Sequence, residues 1–221
     1  MIVLGNTISR TQALLLALLV LLSAGLHAQQ TIKMPLADGF DFPVGKPNAD
    51  GYYTARGVRL SGAIHYGEDW NGRNGGDTDL GDPIYTCADG VVVWAYNVHQ
   101  GWGNVVIIRH AYRDPASGQV KFCDSLYGHL NEFKIKLGQM VKRGQQIGTI
   151  GSNFGMYPAH LHFEIRHNIN TGMLRDNVPR DFNNWAVPKD FINKYRRLNR
   201  EWGNVPVPIG TCPEYQGFKG L

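Results

Sequence analysis

The sequence predicts an all-β protein with a short C-terminal helix. Between about Gly62 and Arg166, apolar and β-branched runs of four to seven residues alternate with glycine-containing turns. That region shows no sustained 3.6-residue apolar period of the kind that indicates an amphipathic helix. The 27 glycines and 11 prolines among 221 residues also fit a chain with many tight turns.

Residues 1–28 have the composition of a secretion signal. Arg10 is the only formally charged residue there, an apolar run follows it, and small residues precede Ala28. The run is shorter than the roughly 20 residues of a membrane-spanning helix, whereas it matches the apolar region of a signal peptide. We therefore expect cleavage after Ala28, no stable membrane span in the mature chain, and a secreted or periplasmic location.

Residues 29–61 are rich in turns and aromatic side chains, and we expect this lead-in to pack on the sheet of a main domain at residues 62–170. Within that domain the sequence predicts strands at 90–96, 104–109 and 121–127, because β-branched and aromatic residues concentrate there between turn signals. A chain of this composition can bury a substantial core, which excludes a disordered protein.

Residues 171–221 are expected to form a C-terminal extension with an amphipathic helix near 188–202. Pro188 suits the first turn of a helix, and apolar residues follow at helical spacing, namely Phe191, Tyr195, Leu198 and Trp202. The same segment carries five basic and two acidic side chains, which is most of the net charge of +4. The β-rich part is therefore nearly neutral and lacks the basic face that nucleic-acid binding requires, so we expect no nucleic-acid partner.

The chain has three cysteines, Cys87, Cys123 and Cys212. Export to an oxidising compartment would allow two of them to form a disulfide. Three is an odd number, so at most one bridge forms, and the sequence does not indicate which pair it joins.

Two histidine clusters carry the chemistry. In the second, His160 and His162 alternate with apolar residues, and successive side chains of a strand point to opposite faces. Both imidazoles are therefore expected on one face, opposite the core-facing Leu161, Phe163 and Ile165. In the first cluster, His65 and Asp69 are four residues apart with a glycine between them, so both side chains can converge on one point.

His65, Asp69 and one of His160 and His162 would give three N/O ligands. Three such ligands with a fourth open position describe a catalytic zinc site, and the lack of cysteine in either cluster argues against a thiolate site. Two neutral imidazoles and one carboxylate leave a residual positive charge, which lowers the pKa of a bound water toward about 7. His129, at the end of a predicted strand, is a candidate general base or oxyanion stabiliser.

These residues resemble the lysostaphin-type (LytM-like) zinc metallopeptidases, which cleave peptide cross-links in bacterial peptidoglycan. The family pattern is His-x(3)-Asp, then Gly-His-Leu, then His-Leu-His-Phe, and all three segments occur here in that order. Glycine-punctuated segments at 88–92, 103–106 and 137–151 are similar to the family as well. The likeness extends from about Phe40 to Arg166, and the motifs together are highly specific.

The resemblance implies one Zn²⁺ per chain, bound by His65, Asp69 and His162. It implies that His129 and His160 act on the attacking water and on the tetrahedral oxyanion, and it leaves open which of the two is the base. It further implies an antiparallel, sandwich-like β-sheet fold with a narrow groove over the metal, within a catalytic domain at 62–170. The expected function is that of a secreted zinc metalloendopeptidase that hydrolyses stem peptides or cross-links of peptidoglycan through a zinc-bound water.

An alternative is a non-catalytic relative that binds peptidoglycan and activates another cell-wall hydrolase. Such proteins typically lose metal ligands, whereas this chain retains all five polar residues, which favours the enzyme. Residues 71–80 depart from the family pattern as a longer, polar, glycine-rich insertion. We expect this insertion to form part of the groove wall, and the oligomeric state is left open.

Overall fold

A computed structural model describes residues 29–215, so the expected secretion signal at 1–28 lies outside the described residues. Strands make up most of the regular structure, and Pro188–Lys194 (α1) is the single α-helix of this part of the chain. The strands are β1 (Thr31–Pro35), β2 (Tyr52–Arg56), β3 (Glu68–Gly72), β4 (Pro83–Tyr85), β5 (Gly90–Asn97), β6 (Asn104–Arg113), β7 (Val120–Phe133), β8 (Met140–Val141), β9 (Gln146–Ile150), β10 (Leu161–Arg166), β11 (Trp185–Ala186) and β12 (Asn204–Pro208).

The main sheet contains ten strands, and its longest path runs β2-β3-β10-β7-β6-β5-β8. Strand β11 pairs with β10, β4 pairs with β9, and β9 also pairs with β7. A second, two-stranded sheet joins β1 to β12. Every strand pairing between residues 29 and 215 is antiparallel. The predicted all-β, antiparallel fold class is confirmed.

Strand β10 lies in the middle of the sheet and fixes which side chains reach the functional face. Its apolar residues Leu161, Phe163 and Ile165 are fully buried in the largest core cluster. Burial of such side chains contributes roughly 1.5–3 kcal/mol each. A one-residue slip of β10 would move all three to the opposite face, so the core holds His160 and His162 in their orientation.

The lead-in contributes core residues and two strands, β1 and β2. Phe40, Phe42 and Val44 are buried in the same core cluster as β10. The Phe40 ring packs edge-on against Phe191 of α1, with the ring centroids 5.1 Å apart. Strand β2 extends the main sheet beside β3. The segment thus connects the sheet to α1 through aromatic contacts.

The helix begins at Pro188 as the sequence predicts, but its predicted end at residue 202 is wrong. It stops at Lys194, because the chain beyond it bonds to the lead-in: the Leu198 N–H donates to the Asp38 carbonyl at 2.9 Å instead of continuing the helical ladder. Trp202, expected on the apolar face, is 87% exposed. Among residues 29–215, no helix is both long and apolar enough to cross a membrane.

The three cysteines all fall within the described residues, and each is a free thiol. Cys87 and Cys123 are fully buried, and Cys212 is partly buried. The disulfide that an oxidising compartment would allow is therefore not formed in this structure.

Candidate metal centre

Three neighbouring strands place the predicted site residues side by side. His162 of β10 lies directly opposite Asp69 of β3 and, on its other side, opposite Gly128 of β7. Directly opposed residues of antiparallel strands have Cβ atoms about 4.5–5.5 Å apart. The pairing register therefore brings an imidazole and a carboxylate together although 93 residues separate them in the chain.

His65 reaches the same point from the segment that leads into β3. It forms a two-hydrogen-bond bridge with Arg59. Gly67 then passes so close to β10 that an added Cβ would lie 2.4 Å from the Phe163 carbonyl oxygen. The glycine between His65 and Asp69 is thus required by close strand contact rather than by a tight turn.

Ligand atoms from His65, Asp69 and His162, here called the cleft cluster, converge within metal-binding distance. Asp69 Oδ1 is 3.0 Å from His65 Nε2 and 2.9 Å from His162 Nδ1, and the two ring nitrogens are 3.1 Å apart. A tetrahedral zinc with bonds of about 2.0–2.2 Å separates its ligand atoms by about 3.3–3.6 Å. The three observed distances are slightly shorter than that spacing.

The partners of the outer ring nitrogens indicate where the ring hydrogens lie, and they leave only lone pairs on the atoms that face the centre of the cluster. His65 Nδ1 lies 2.9 Å from the Gly57 carbonyl, and His162 Nε2 lies 2.9 Å from a Glu164 carboxylate oxygen. Both partners can only accept, so each neutral ring carries its hydrogen on that outer nitrogen. His65 Nε2, His162 Nδ1 and the Asp69 oxygen then face one another without a hydrogen between them. Such an arrangement fits a bound cation.

The electrostatics of the cluster point the same way. Burial alone would raise the pKa of Asp69, but its His162 and His65 neighbours lower that pKa well below its usual range. Burial alone would lower the pKa of His162, but the Asp69 and Glu164 carboxylates raise it. In the absence of metal, the two carboxylates therefore attract a positive charge to this ring, a charge that a divalent ion would supply.

Glu164 and Arg166 support the cluster from beneath. Both side chains are fully buried on β10, and Arg166 Nε donates to Glu164 Oε2 at 2.7 Å. Burial alone would raise the pKa of Glu164, but Arg166 and His162 lower it well below its usual range, so the group stays ionised. The carboxylate orients His162 as partners of metal-binding histidines commonly do.

His129 enters the cleft through a β-bulge. Asn104 pairs with Leu130 and Val106 with Tyr127, so Gly128 and His129 together oppose one residue of β6. His129 has a φ of 66°, a left-handed conformation that is uncommon for non-glycine residues and recurs at functional sites. The bulge redirects the His129 side chain from the regular alternation of β7 toward β10.

The tautomer of His129 follows from its surroundings. Its Nδ1 lies 3.0 Å from the Trp102 carbonyl and 2.6 Å from the Tyr157 hydroxyl, whose own hydrogen can go to the Gly101 carbonyl at 2.9 Å. The ring hydrogen is therefore on Nδ1, and Nε2 is free to accept a proton. Burial, together with the nearby His162 and His160, lowers the pKa of His129 to about 3. The ring is neutral at pH 7.

His160 stands beside His129, with ring centroids 4.8 Å apart. Its Nδ1 donates to the Pro158 carbonyl at 2.8 Å, and its Nε2 is 3.9 Å from Asp69 Oδ1. His160 is thus adjacent to the cleft cluster without belonging to its three-atom centre. Of the two histidines that the residue pattern offered as ligands, the structure places His162 in that centre.

The insertion at 71–80 does not line the cleft, contrary to the expectation of a groove wall. It holds the backbone before His160: the Ala159 N–H donates to Asp77 Oδ1 at 2.7 Å, and Asn71 Nδ2 donates to the Ala159 carbonyl at 3.2 Å. The carboxylate of Asp79 accepts from the Gly72 N–H at 2.8 Å. One oxygen of each of these two carboxylates therefore accepts from a backbone N–H.

The five predicted residues all line one cleft of about 420 Å³. A larger cavity of about 730 Å³ lies elsewhere, beside α1, and is lined mainly by aromatic and apolar side chains. Within residues 29–215, the cleft cluster is the one group of three or more His, Cys, Asp or Glu side chains arranged to hold a metal ion. The candidate metal ligands therefore lie in the smaller cleft.

Sequence reasoning missed several residues of this cleft. Tyr157 and Trp102 contact His129, and Trp102 also packs edge-on against His162 with centroids 5.2 Å apart. Gly128 makes room for Trp102, because an added Cβ would lie 3.0 Å from that indole. Arg175 lies beyond every motif. Gly128, which precedes His129, was a usable sequence signal for the close approach of Trp102. Nothing near Arg175 in the sequence indicates that it lines the cleft.

Comparisons with known proteins identify the family to which this sequence is similar. The model of peptidase family M23 matches residues 63–173, half of the chain. Peptidoglycan DD-endopeptidase ShyA of Vibrio cholerae is 35% identical over 126 residues, covering 55% of this chain and 26% of ShyA. Murein hydrolase activator NlpD of Escherichia coli is 40% identical over 87 residues, covering 39% of this chain and 20% of NlpD. The chain therefore spans about a quarter or less of these two relatives.

Among solved structures, lysostaphin from Staphylococcus simulans superposes with a TM-score of 0.45 at 24% identity. The match covers 65% of this chain and 50% of the lysostaphin chain. The family match thus rests on the sequence between residues 63 and 173, which contains all five residues of the predicted site.

Proposed function

The chain belongs to peptidase family M23, as the resemblance predicted, and from this premise we propose that it is a zinc metalloendopeptidase. Its proposed substrates are the stem peptides or cross-links of bacterial peptidoglycan. The observation that carries the proposal is the convergence of three lone-pair donors in the cleft cluster, with the hydrogens of both rings turned away. An endopeptidase relative, ShyA, supports the substrate class.

The residues of the cleft cluster would hold one zinc ion per chain. When bound, zinc supplies a Lewis acid that polarises the scissile carbonyl and acidifies a water molecule. The neutral His129, with Nε2 unprotonated, accepts a proton from the attacking water, and Tyr157 holds the ring by its hydroxyl contact with Nδ1. His160, with its hydrogen on Nδ1, is placed to stabilise the oxyanion after protonation or to exchange roles with His129.

The proposed substrate sets the proposed location. Peptidoglycan lies in the cell envelope, so we infer that the protein acts there, secreted or periplasmic. The apolar run within residues 1–28 supports export.

A second candidate function is activation of another cell-wall hydrolase by binding alone. It is favoured by the likeness to NlpD, a murein hydrolase activator. Against it stand the complete ligand set and the strained, proton-accepting His129, which a binding module does not need.

Digestion of defined peptidoglycan fragments tests the proposal. The full chain, loaded with zinc, is incubated with cross-linked and uncross-linked muropeptides, and mass spectrometry identifies the bond cut. His129→Ala should keep one zinc per chain and lose about 10²- to 10⁴-fold in turnover, the usual range for a general base. His167→Ala, a histidine of the other cavity, should retain wild-type turnover.

Two outcomes would contradict the enzyme. One is a zinc-loaded, folded wild type that releases no fragment but stimulates a separate hydrolase, which would establish the activator. The other is wild-type turnover by His129→Ala, which would remove the assigned role of that residue.

A further inference from the structure

Arg175 is a cation on the wall of the metal cleft that forms no salt bridge in the described part of the chain. It lies in a short 3₁₀ turn, Arg175–Asn177, in the loop after β10. Its guanidinium carbon is 4.4 Å from the Trp102 ring centroid and 5.1 Å from that of Tyr66. Within residues 29–215 its guanidinium forms no ion pair and no hydrogen bond. The two rings hold the faces of the group and leave its N–H edge available.

The other shielded arginines of the chain show how unusual this is. Arg109 binds Asp124 through two hydrogen bonds of 2.7 and 2.8 Å, and Arg166 binds Glu164. Arg143 binds Asp41, also through two hydrogen bonds. A shielded cation is costly unless it is paired. Each of these arginines is bonded directly to a carboxylate. Arg175 is only attracted at a distance by Glu164 and Asp176, and both oxygens of Glu164 are already bonded to His162 and Arg166.

The loop that carries Arg175 is fixed, so the unpaired guanidinium is a built feature. Thr171 and Met173 are buried, and Met173 belongs to a core cluster with residues of β5 and β6. Arg166 Nη1 also donates to the Gly172 carbonyl. The backbone before Arg175 is therefore anchored to the strand that carries His162.

The position of Arg175 relates it to the reaction centre. The Trp102 ring that it stacks on packs edge-on against His162, with centroids 5.2 Å apart. An extended peptide advances about 3.3–3.6 Å per residue. A peptide whose scissile amide lies at the cleft cluster therefore passes Arg175 within roughly one to three residues of that bond.

We propose that Arg175 binds a free carboxylate of the substrate peptide close to the scissile bond. The protein would then select peptides that carry an acid at this place over those that carry its carboxamide. A guanidinium matches a carboxylate in a two-hydrogen-bond geometry that an amide cannot reproduce. The inference rests on the proposed function, since it names the class of peptide that the same cleft accepts.

The charges of the cleft support an anionic ligand. Its lining holds two arginines, Arg175 and Arg56, against one carboxylate, Asp69, which belongs to the cleft cluster. Arg56 is exposed at the end of β2, where water screens its charge. Arg175 is the more shielded of the two, and burial lowers its pKa, an effect that an incoming carboxylate would reverse.

The test compares pairs of peptidoglycan stem peptides that differ in one group, a free carboxylate or its carboxamide, beside the scissile amide. Shorter fragments that lack the scissile amide give equilibrium affinities by calorimetry, and the longer peptides give kcat and KM, all with the zinc-loaded full chain. Wild type should bind the acid about 10- to 100-fold more tightly than the amide. Arg175→Gln should remove this preference by raising KM for the acid, with kcat nearly unchanged.

Two further variants keep the result interpretable. Arg175→Lys retains the charge but loses the planar fork, so its preference should fall between those of wild type and Arg175→Gln. Arg200→Gln is the matched control, because Arg200 also stacks on a ring, that of the exposed Trp202, outside the cleft. It should keep the full preference.

Each remaining outcome decides the assignment. Equal weakening of acid and amide by Arg175→Gln would show a purely structural role and overturn the proposal. A preference that is absent in wild type, or that disappears in Arg56→Gln but survives in Arg175→Gln, would overturn it too. Acid-selective binding by a wild type that cuts neither peptide would refute the proposed peptidase while the Arg175 site stands.

Discussion

Two buried polar clusters, one with a single histidine and one with two, differ in how many hydrogens their contacts share. In the interior cluster, Ser125 and Tyr127 link His110 Nε2 to the Cys87 backbone N–H through contacts of 2.7, 3.0 and 2.9 Å, while His110 Nδ1 donates to the Asp89 carbonyl at 2.8 Å. Two N–H groups and two hydroxyls supply one hydrogen for each of these four contacts. In the cleft cluster with both rings neutral, three contacts of similar length share none.

The difference separates a structural histidine from a ligand set. Buried polar groups are stable when each donor meets an acceptor, and the interior cluster satisfies that rule by itself. The cleft cluster satisfies it only with an added cation, since lone pairs that face each other repel. Counting hydrogens therefore distinguishes two groups that burial and distance alone would treat alike.

Removal of His162 should have the largest effect on this comparison. His162→Ala deletes one of the three ligands, so zinc content should fall from one per chain to near zero and hydrolysis to background. Zinc at 1,000 times its dissociation constant stabilises the wild type by about 4 kcal/mol, and that zinc-dependent rise in the free energy of unfolding should vanish in the variant. Elemental analysis and denaturant titration with and without zinc measure both quantities.

The interior cluster provides the matched control for this experiment. His110→Gln also replaces a buried histidine, but it should retain one zinc per chain and the full zinc-dependent stabilisation. A His162→Ala protein that keeps zinc with wild-type affinity would show that the hydrogen count has misidentified the ligand set.

Local sequence pattern was sufficient for β10, the strand that carries His162, because alternation along a strand records which face is buried. It did not predict β3, which carries Asp69, and it ended the strand before His129 at residue 127, whereas β7 extends to Phe133. Leu161, Phe163 and Ile165 are buried as that alternation predicts. Long-range pairing leaves no such record: nothing in β1 indicates that its partner is β12. The end of α1 likewise depends on a hydrogen bond to Asp38, which no helical periodicity contains.

The candidate site shows the same difference between what local pattern predicts and what depends on long-range contacts. The motifs indicated five residues that the structure brings to one cleft. Their supporting contacts were not predictable, since they involve the Gly57 carbonyl, a tyrosine hydroxyl and a buried ion pair, and residue spacing encodes none of these. The insertion at 71–80 was recognisable, but its role as a backbone support depended on which strand end it would meet.

Acidification should affect the interior cluster in a defined pH window. Burial lowers the pKa of His110 to about 4, against about 6.5 in an unfolded chain. Between these values the unfolded chain binds a proton that the folded chain does not, so stability falls as pH falls from 6.5 to 4. The loss should reach at most about 3 kcal/mol and level off below pH 4. Denaturant unfolding at several pH values, with chelator present to exclude zinc effects, measures it.

The readout is the difference between wild type and His110→Gln, because groups that titrate in both proteins cancel. That difference should shrink as pH falls through the window, since the variant has no ring to protonate. A difference that is constant from pH 7 to pH 4 would mean that burial does not hold His110 neutral, and the contrast between the two clusters would fail.

The smallest expected effect comes from the backbone support of His160 in the cleft. The interior cluster draws its ring and both hydroxyls from β6 and β7, whereas His160 precedes β10 and depends on the insertion, where Asp77 accepts from the Ala159 N–H. Asp77→Ala removes a hydrogen bond worth about 1 kcal/mol, so kcat should fall about 3- to 10-fold with zinc content unchanged. Asp77→Asn keeps the accepting oxygen and should restore most of the rate. Equal loss in both variants would mean that charge, not positioning, is what Asp77 contributes.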